Sequence, residues 1–325
     1  MSLIKHGGNL REAACFYSIP LESWIDLSTG INPCPWIPPE IPIAVWQRLP
    51  EADDNLLSVA QHYYACDDLL PVAGSQIAIQ SLPYCRGRSR IGIINPSYAE
   101  HAYWWEQAGH DVVYMIADEI DCLIHTLDVL VLINPNNPDG RQYAVSELLK
   151  WHRQLNEKKG WLIVDEAFMD STPEKSLLLQ YKNMPEGLII LRSIGKFFGL
   201  AGIRLGFIAA VPKLLQQIAH QQGPWAVSHP ARWLGALALK DQQWQQQSRR
   251  FLAQQSQKLY QILSLSFHNI QQSHYFCYIQ HPQAKQIKQQ LAQKGIWVRY
   301  FENPSALRFG LPANEAELKK LSHFL

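Results

Sequence analysis

The sequence predicts an α/β protein with a mostly parallel central sheet in a large domain and a smaller α+β domain, on three observations. From about Pro71 to Ala210, short runs of Val, Ile and Leu alternate with amphipathic stretches. Strands of that composition, separated by helices, bury both faces of a parallel sheet. After Val211 the text turns glutamine-rich and helical, then returns to short strands. The first 45 or so residues carry Pro33, Pro35, Pro38, Pro39 and Pro42. They are too irregular to form a domain alone and are expected to wrap onto the small one. The expected division is 46–228 for the large domain, with 1–45 and 229–325 as arm plus small domain.

Within the first region, Arg90–Asn95, Val112–Ile116, Leu127–Ile133, Trp161–Asp165, Leu188–Leu191 and Leu205–Ala210 have strand length and apolarity. Ala99–Ala108 and Val145–Glu157 have helical spacing, the second with Ser146 as a candidate N-cap. Pro212–Gln222 reads as a helix with proline at its first position, where the missing N–H is harmless, and Gly223-Pro224 breaks it. His229–Leu265 is expected as one long, half-buried helix. Its Trp233, Leu234, Leu237, Trp244, Phe251 and Leu252 recur at helical spacings. Tyr275–Ile279 (strand), Ala284–Gln293 (helix), Ile296–Phe301 (strand) and Leu307–Gly310 complete the small domain.

Composition narrows the function classes. Hydrophobic residues make up 47% and charged residues 18%, which excludes a disordered chain. A formal net charge of +1 removes the electrostatic reason to expect nucleic acid or an anionic membrane surface as a partner. No apolar run is long enough to span a bilayer, and the N-terminus lacks a signal-peptide h-region. Six scattered cysteines without a C-x-x-C pair read as reduced thiols rather than disulfides or a zinc site, so a cytoplasmic location is expected.

Three strand-end motifs carry the chemistry. Asn134-Pro-Asn-Asn-Pro-Asp-Gly140 directly follows LDVLVLI, and Asp165-Glu-Ala-Phe168 completes WLIVD. Ser193-Ile-Gly-Lys196-Phe-Phe-Gly-Leu-Ala-Gly-Ile-Arg204-Leu-Gly206 begins one residue past LIIL. An asparagine, an acid, a lysine and an arginine therefore follow the same kind of strand, and ligands of such sheets bind outside the carboxyl ends of the strands.

N-P-N-N-P-x-G, D-E-A-[FY] and S-x-x-K-x-x-G-L-A-G-x-R-x-G together resemble the fold-type I pyridoxal-phosphate enzymes, in the branch of histidinol-phosphate aminotransferase. The resemblance covers nearly the whole chain. It implies a pyridoxal 5′-phosphate cofactor, a homodimer, and a role for each matching residue. Lys196 would form the Schiff base with the cofactor aldehyde and later move protons as a free amine. Asp165 would keep the pyridine nitrogen protonated. Arg204 and Ser193 would bind the cofactor phosphate, with backbone N–H groups from Gly74, Ser75 and Gln76. Asn137 would hydrogen-bond the ring 3′-oxygen, and Tyr98 would stack on the ring. The matching chain has two departures. Phe168 stands where a tyrosine is usual, removing one hydroxyl donor to the 3′-oxygen. Leu49 stands where a tyrosine would reach the other subunit's cofactor phosphate.

The cofactor alone leaves the reaction open, because the residues that clamp the substrate decide which bond at Cα breaks. H-G-G-N-x-R-E from His6, Gly30-Ile-Asn32-Pro33, Pro224-Trp-Ala-Val227 and an arginine in each of two C-terminal strands resemble the threonine-phosphate decarboxylases of cobalamin biosynthesis. By that resemblance His6, Gly8, Asn9, Asn32, Asn137, Arg299 and Arg308 would surround the phosphate and carboxylate of a small phosphorylated amino acid. A histidinol-phosphate or aromatic amino-acid aminotransferase is the alternative, and a non-catalytic cofactor-binding regulator a third reading. Phe168 and the glycine arm favour the decarboxylase. Retained Lys196, Asp165 and Arg204 favour an enzyme over a regulator.

Overall fold

The computed structural model describes residues 7–51 and 54–324. By contacts the chain forms two units. The smaller comprises 1–34, 137–141 and 247–325, and the larger comprises 35–136 and 142–246. Residues 35–45 and 229–246, expected with the small domain, lie in the larger unit, and the short segment 137–141 lies in the smaller one.

The larger unit is built on a seven-stranded sheet of β2 (Leu69–Val72), β3 (Arg90–Ile94), β4 (Asp111–Met115), β5 (Val129–Ile133), β6 (Trp161–Asp165), β7 (Leu188–Ser193) and β8 (Gly206–Ala209). Its order is β2-β8-β7-β6-β5-β3-β4. β7, β6, β5, β3 and β4 run parallel, while β8 is antiparallel to both β7 and β2. The central strands carry no inward–outward alternation because helices cover both faces: β5 and β7 are buried at every position. Trp105, from the helix Glu100–Gln107, is 1% exposed and packs with Ile79, Ile91 and Val129 in the core beneath the sheet.

The smaller unit holds a five-stranded sheet of β1 (Ile25–Leu27), β9 (Gln271–Gln272), β10 (Phe276–Gln280), β11 (Ile296–Phe301) and β12 (Ala306–Gly310), in the order β1-β11-β12-β10-β9. Only β1 pairs in parallel, with β11. The N-terminal segment is therefore more regular than its prolines suggest. It contributes this strand and the helix Leu10–Tyr17. Pairing to β11, 271 residues away in register (Ile25 with Ile296), orders a segment that local propensity leaves undecided.

Two local expectations are corrected. The helix Val145–Asn156 is not capped by Ser146, which lies inside it; the Glu147 carboxylate accepts the Ala144 N–H at 2.7 Å instead. The stretch expected as one helix is two, His229–Lys240 and Gln242–Leu263. Asp241, at φ −80° and ψ 75°, interrupts it. Its Oδ1 accepts the Trp244 N–H at 3.0 Å and its Oδ2 the Trp36 indole N–H at 3.0 Å, so a single aspartate both starts the second helix and anchors Trp36. Hydrophobic spacing continues through the break and conceals it.

Gly206, which opens β8, has no room for a side chain. A Cβ there would sit 2.6 Å from Ser75 N and 2.7 Å from Arg192 O, both backbone atoms unable to move alone. Gly206→Ala is expected to lower stability by about 1–3 kcal/mol in chemical denaturation. An unchanged denaturation midpoint would contradict this packing.

Candidate active site

In the larger unit the site grows from the end of β6. Asp165 is 4% exposed, and a carboxylate that deeply buried needs partners to stay charged. Its Oδ1 accepts the Ala167 N–H at 3.0 Å, which shapes the turn, and its Oδ2 lies 3.1 Å from Nε2 of His101. The imidazole and the carboxyl are thus within hydrogen-bond distance of one another. His101 was not anticipated from the sequence. Its one sequence cue is a position one helical turn beyond Tyr98; its partner lies 64 residues away, and no local periodicity reports such a contact.

Several expected residues gather around this pair. The Tyr98 ring meets His101 edge-on, with centroids 6.3 Å apart. The Tyr98 hydroxyl donates to Gln76 Oε1 at 3.2 Å, and Gln76 Nε2 donates to Glu100 Oε2 at 2.6 Å. Burial, then the charges of Glu100 and Asp165, raise the Tyr98 phenol above its ordinary range, so it stays protonated. Gly74 adopts φ +80°, and a Cβ there would strike the Arg204 guanidinium, 2.6 Å from Nη2. The positive φ is what favours glycine here, and the arginine lies against this backbone. Ser193 ends β7, and its Oγ accepts the Gly195 N–H at 3.3 Å at the start of the turn Ile194–Phe197 that carries Lys196. Lys196 is half-buried, with Nζ 5.8 Å from the centre of the Phe168 ring. Leu49 is exposed.

These residues fit pyridoxal phosphate. The cradle at Gly74 and Ser75, with Arg204 against it, offers amide and guanidinium donors to a phosphate. A buried, hydrogen-bonded carboxylate at Asp165 suits a protonated ring nitrogen, and Lys196 supplies the amine.

The smaller unit holds the residues expected to bind substrate, apart from His6, which lies outside the described residues. Arg308, on β12, is 6% exposed. It donates from Nη1 to Asn137 Oδ1 at 2.5 Å and from Nη2 to the Ser28 carbonyl at 2.7 Å, while its buried Nε has no hydrogen-bond partner among the described residues. Burial first, and the charge of Arg299 second, push this guanidinium below its ordinary range; Asp26 pulls the other way. Arg299 stands opposite Arg308 in the β11–β12 register, so both side chains share one face of the sheet. Two cations therefore stand side by side there, and the hydrogen bonds of Arg308 go to neutral oxygens. Arg299 also lines a cavity of about 850 Å³ with Gly8, Asn9, Ser28 and Trp297.

Three expectations change in detail. The Gly8 amide, expected to meet a substrate phosphate, donates to Ser28 Oγ at 2.8 Å, and the Gly8 carbonyl accepts from the Trp297 indole at 2.8 Å. The arm is thus tied to β1 and β11. Asn32 is buried, donating to Ser248 Oγ at 2.8 Å and accepting from the Cys34 N–H at 3.0 Å, which gives it a structural task. Asn137 has its carbonyl oxygen engaged by Arg308, which fixes the amide so that Nδ2 is the outward donor. Ser28 joins arm and arginine and was not anticipated: its hydroxyl donates to Asp26 Oδ1 at 2.6 Å, and it receives bonds from both Gly8 and Arg308.

The family model for aminotransferases of class I and II matches residues 37–325. A threonine-phosphate decarboxylase of Pseudomonas aeruginosa is 49% identical over 320 residues, covering 98% of this chain and 96% of that protein. One from a Sinorhizobium species is 37% identical over 99% of this chain and 97% of its own length. Among solved structures, the histidinol-phosphate aminotransferase of Sinorhizobium meliloti in complex with pyridoxal 5′-phosphate superposes with a TM-score of 0.81 at 17% identity, covering 99% of this chain and 94% of that one.

Phe168 presents a ring face and no donor. Phe168→Tyr would add a hydroxyl donor, expected from the resemblance to stabilise negative charge on the cofactor's 3′-oxygen. The pKa read from the visible absorbance of the bound cofactor should then fall by about one unit, the worth of one hydrogen bond to a charged group. A titration unchanged from wild type would remove Phe168 from the cofactor's surroundings.

Proposed function

We propose that this chain, which belongs to the aminotransferase class I and II family, is a pyridoxal-phosphate-dependent carboxy-lyase. Its reaction converts L-threonine O-3-phosphate to (R)-1-aminopropan-2-yl phosphate and CO2, for cobalamin biosynthesis. The observation that carries this reading is the 49% identity, over 98% of the chain, to a threonine-phosphate decarboxylase. A histidinol-phosphate aminotransferase of Haemophilus influenzae is 28% identical over 59% of this chain.

When bound, pyridoxal phosphate supplies an electron-withdrawing ring that takes up the electrons released at the substrate's Cα. The chain's own residues do the rest. Arg204, Ser193 and the amides at Gly74, Ser75 and Gln76 would hold the phosphate, and Tyr98 would cover the ring. Asp165, hydrogen-bonded by the Ala167 amide and within reach of His101, would hold the proton on the ring nitrogen. His101 is a positioning residue, because it acts through Asp165. Lys196 Nζ anchors the cofactor and, as a free amine, delivers to Cα the proton that replaces the lost carboxyl group. By the resemblance, Asn137 would supply the donor to the 3′-oxygen.

The substrate's two anionic groups call for cations, and Arg308 and Arg299 are the groups of the smaller unit suited to them. Arg308 carries an unfavourable charge until an anion arrives, so part of the desolvation has been met before binding. His6, Gly8, Asn9 and Asn32 belong to this proposal as the arm and its supports.

A homodimer in the cytoplasm completes the reading. Ile37, Ile43, Trp46, Leu49 and Trp225 are all exposed in the larger unit, an apolar set suited to a second copy of the chain. All six cysteines are free thiols, in keeping with a reducing compartment. No helix among the described residues is long and apolar enough to cross a membrane.

The purified protein, incubated with pyridoxal phosphate and L-threonine O-3-phosphate, should release CO2 and form the phosphorylated amine, and Lys196→Ala should abolish both. Amino transfer to 2-oxoglutarate without CO2 would replace this reading with the aminotransferase one. In the same assay Arg308→Gln should raise KM roughly 10- to 100-fold, the value of a hydrogen bond between charged partners. A KM within twofold of wild type would exclude Arg308 from substrate binding.

A further inference from the structure

We propose that Arg192 is a positioning residue for the cofactor site, and that its buried guanidinium, held by Glu166 and Asp170, locks together the strand ends carrying Asp165 and Ser193 and, through the latter, the turn carrying Lys196. The inference rests on the reading of this site as one for pyridoxal phosphate.

Arg192 is the residue before Ser193 on β7, and Glu166 is the residue after Asp165 on β6. Arg192 is 1% exposed, and Glu166 and Asp170 are 0% exposed. Nη1 donates to Glu166 Oε2 at 2.6 Å and to Ser176 Oγ at 3.3 Å, and Nη2 donates to Asp170 Oδ1 at 2.5 Å. The fork thus grips both ends of the turn after β6. The backbone adds the Glu166 N–H bond to the Leu191 carbonyl at 2.9 Å.

Each carboxylate reaches further. Glu166 accepts the Ser176 hydroxyl at 2.5 Å and the Leu177 N–H at 2.8 Å, which ties in the loop at 176–177. Asp170 accepts the Tyr63 hydroxyl at 3.2 Å, and the Tyr63 ring lies 6.1 Å from that of Phe198, two residues beyond Lys196. Under the guanidinium is the Tyr64 ring, 4.7 Å away. One arginine therefore connects the turn holding Asp165, the strand end holding Ser193 and the turn holding Lys196.

Stability alone is a weak reason for such a cluster. Well-packed neutral residues of similar volume often serve as well as a buried ion pair or better, because desolvation offsets most of the attraction. Here two carboxyl groups face one guanidinium, and burial raises the Glu166 carboxyl above its ordinary range despite the arginine beside it. Its distinctive property is directional: five N–H donors in a rigid plane fix the relative position of the atoms that accept from them. Misplacing reacting groups by about 1 Å costs on the order of a hundredfold in rate, so fixing these strand ends has functional value.

The test neutralises the cluster at constant volume with Arg192→Met, Glu166→Gln and Asp170→Asn combined. This variant should keep a thermal midpoint within a few degrees of wild type. Its dissociation constant for pyridoxal phosphate, by equilibrium dialysis of the apoprotein, should rise about tenfold or more. The pKa read from the bound cofactor's absorbance should also move. Wild-type affinity and an unmoved pKa in the folded triple variant would overturn the proposal. If the triple variant does not fold, Arg192→Lys decides: it keeps the charge and loses the fork, so a weakened cofactor complex supports the proposal and wild-type affinity overturns it. Wild-type protein that takes up no cofactor would overturn the functional reading itself, and this inference with it.

Discussion

A carboxylate at the end of a buried parallel strand is the constraint on which the larger unit depends. β6 has helix-covered neighbours on both sides, so Asp165 emerges where water is excluded and its charge must be satisfied by protein. His101 and the Ala167 amide do this. The helix Glu100–Gln107 is thereby committed to one position, and with it Tyr98 and the Gln76–Glu100 link. The next residue, Glu166, meets the same problem and is met by Arg192, which commits β7 and the turn after β6. Two successive buried acids thus orient the elements around them.

The smaller unit has the complementary design. Arg308 is buried, but its two hydrogen bonds go to neutral oxygens, and the nearest cation in register, Arg299, repels it. A stabilising design would place a carboxylate beside it. On the proposed reading, a cation oriented by Asn137 and Ser28 would keep its remaining interaction for an anion from outside. Ser28 links this arginine to the N-terminal arm, because its carbonyl and hydroxyl oxygens serve Arg308 and Gly8 respectively. The glycine pair is needed here. A Cβ on Gly7 would collide with the Ser28 carbonyl, and Gly8 lies at φ +88°.

Much of the strand order along the chain was legible because buried parallel strands are written as short runs of Val, Ile and Leu, and such runs admit few alternatives once Gly and Pro bound them. The helix Pro212–Gln222 was legible to the residue, with Pro at its start and Gly223 at φ +72° after its end. Other features were not. β1 has only three residues and is a strand because β11 is beside it. Asp241 breaks a helix whose hydrophobic spacing continues unbroken, and its reason for doing so, Trp36, is 205 residues away. Asn32 read as a ligand-binding residue by motif, yet its side chain bonds Ser248, a partner 216 residues distant.

What the sequence by itself determined is the set of chemical groups: a lysine, an acid, an arginine and an asparagine, each just beyond an apolar strand, with glycines where the backbone must approach closely. Covalent order suffices for that, since a strand delivers the residue at its end to the edge of the sheet. Only the tertiary structure decided which groups support them. His101 beside Asp165, Arg192 between Glu166 and Asp170, and Ser28 beneath Arg308 are contacts over 64, 26, 22 and 280 residues. Such pairings follow from the burial of charge, which requires a partner but does not specify where along the chain that partner must come from.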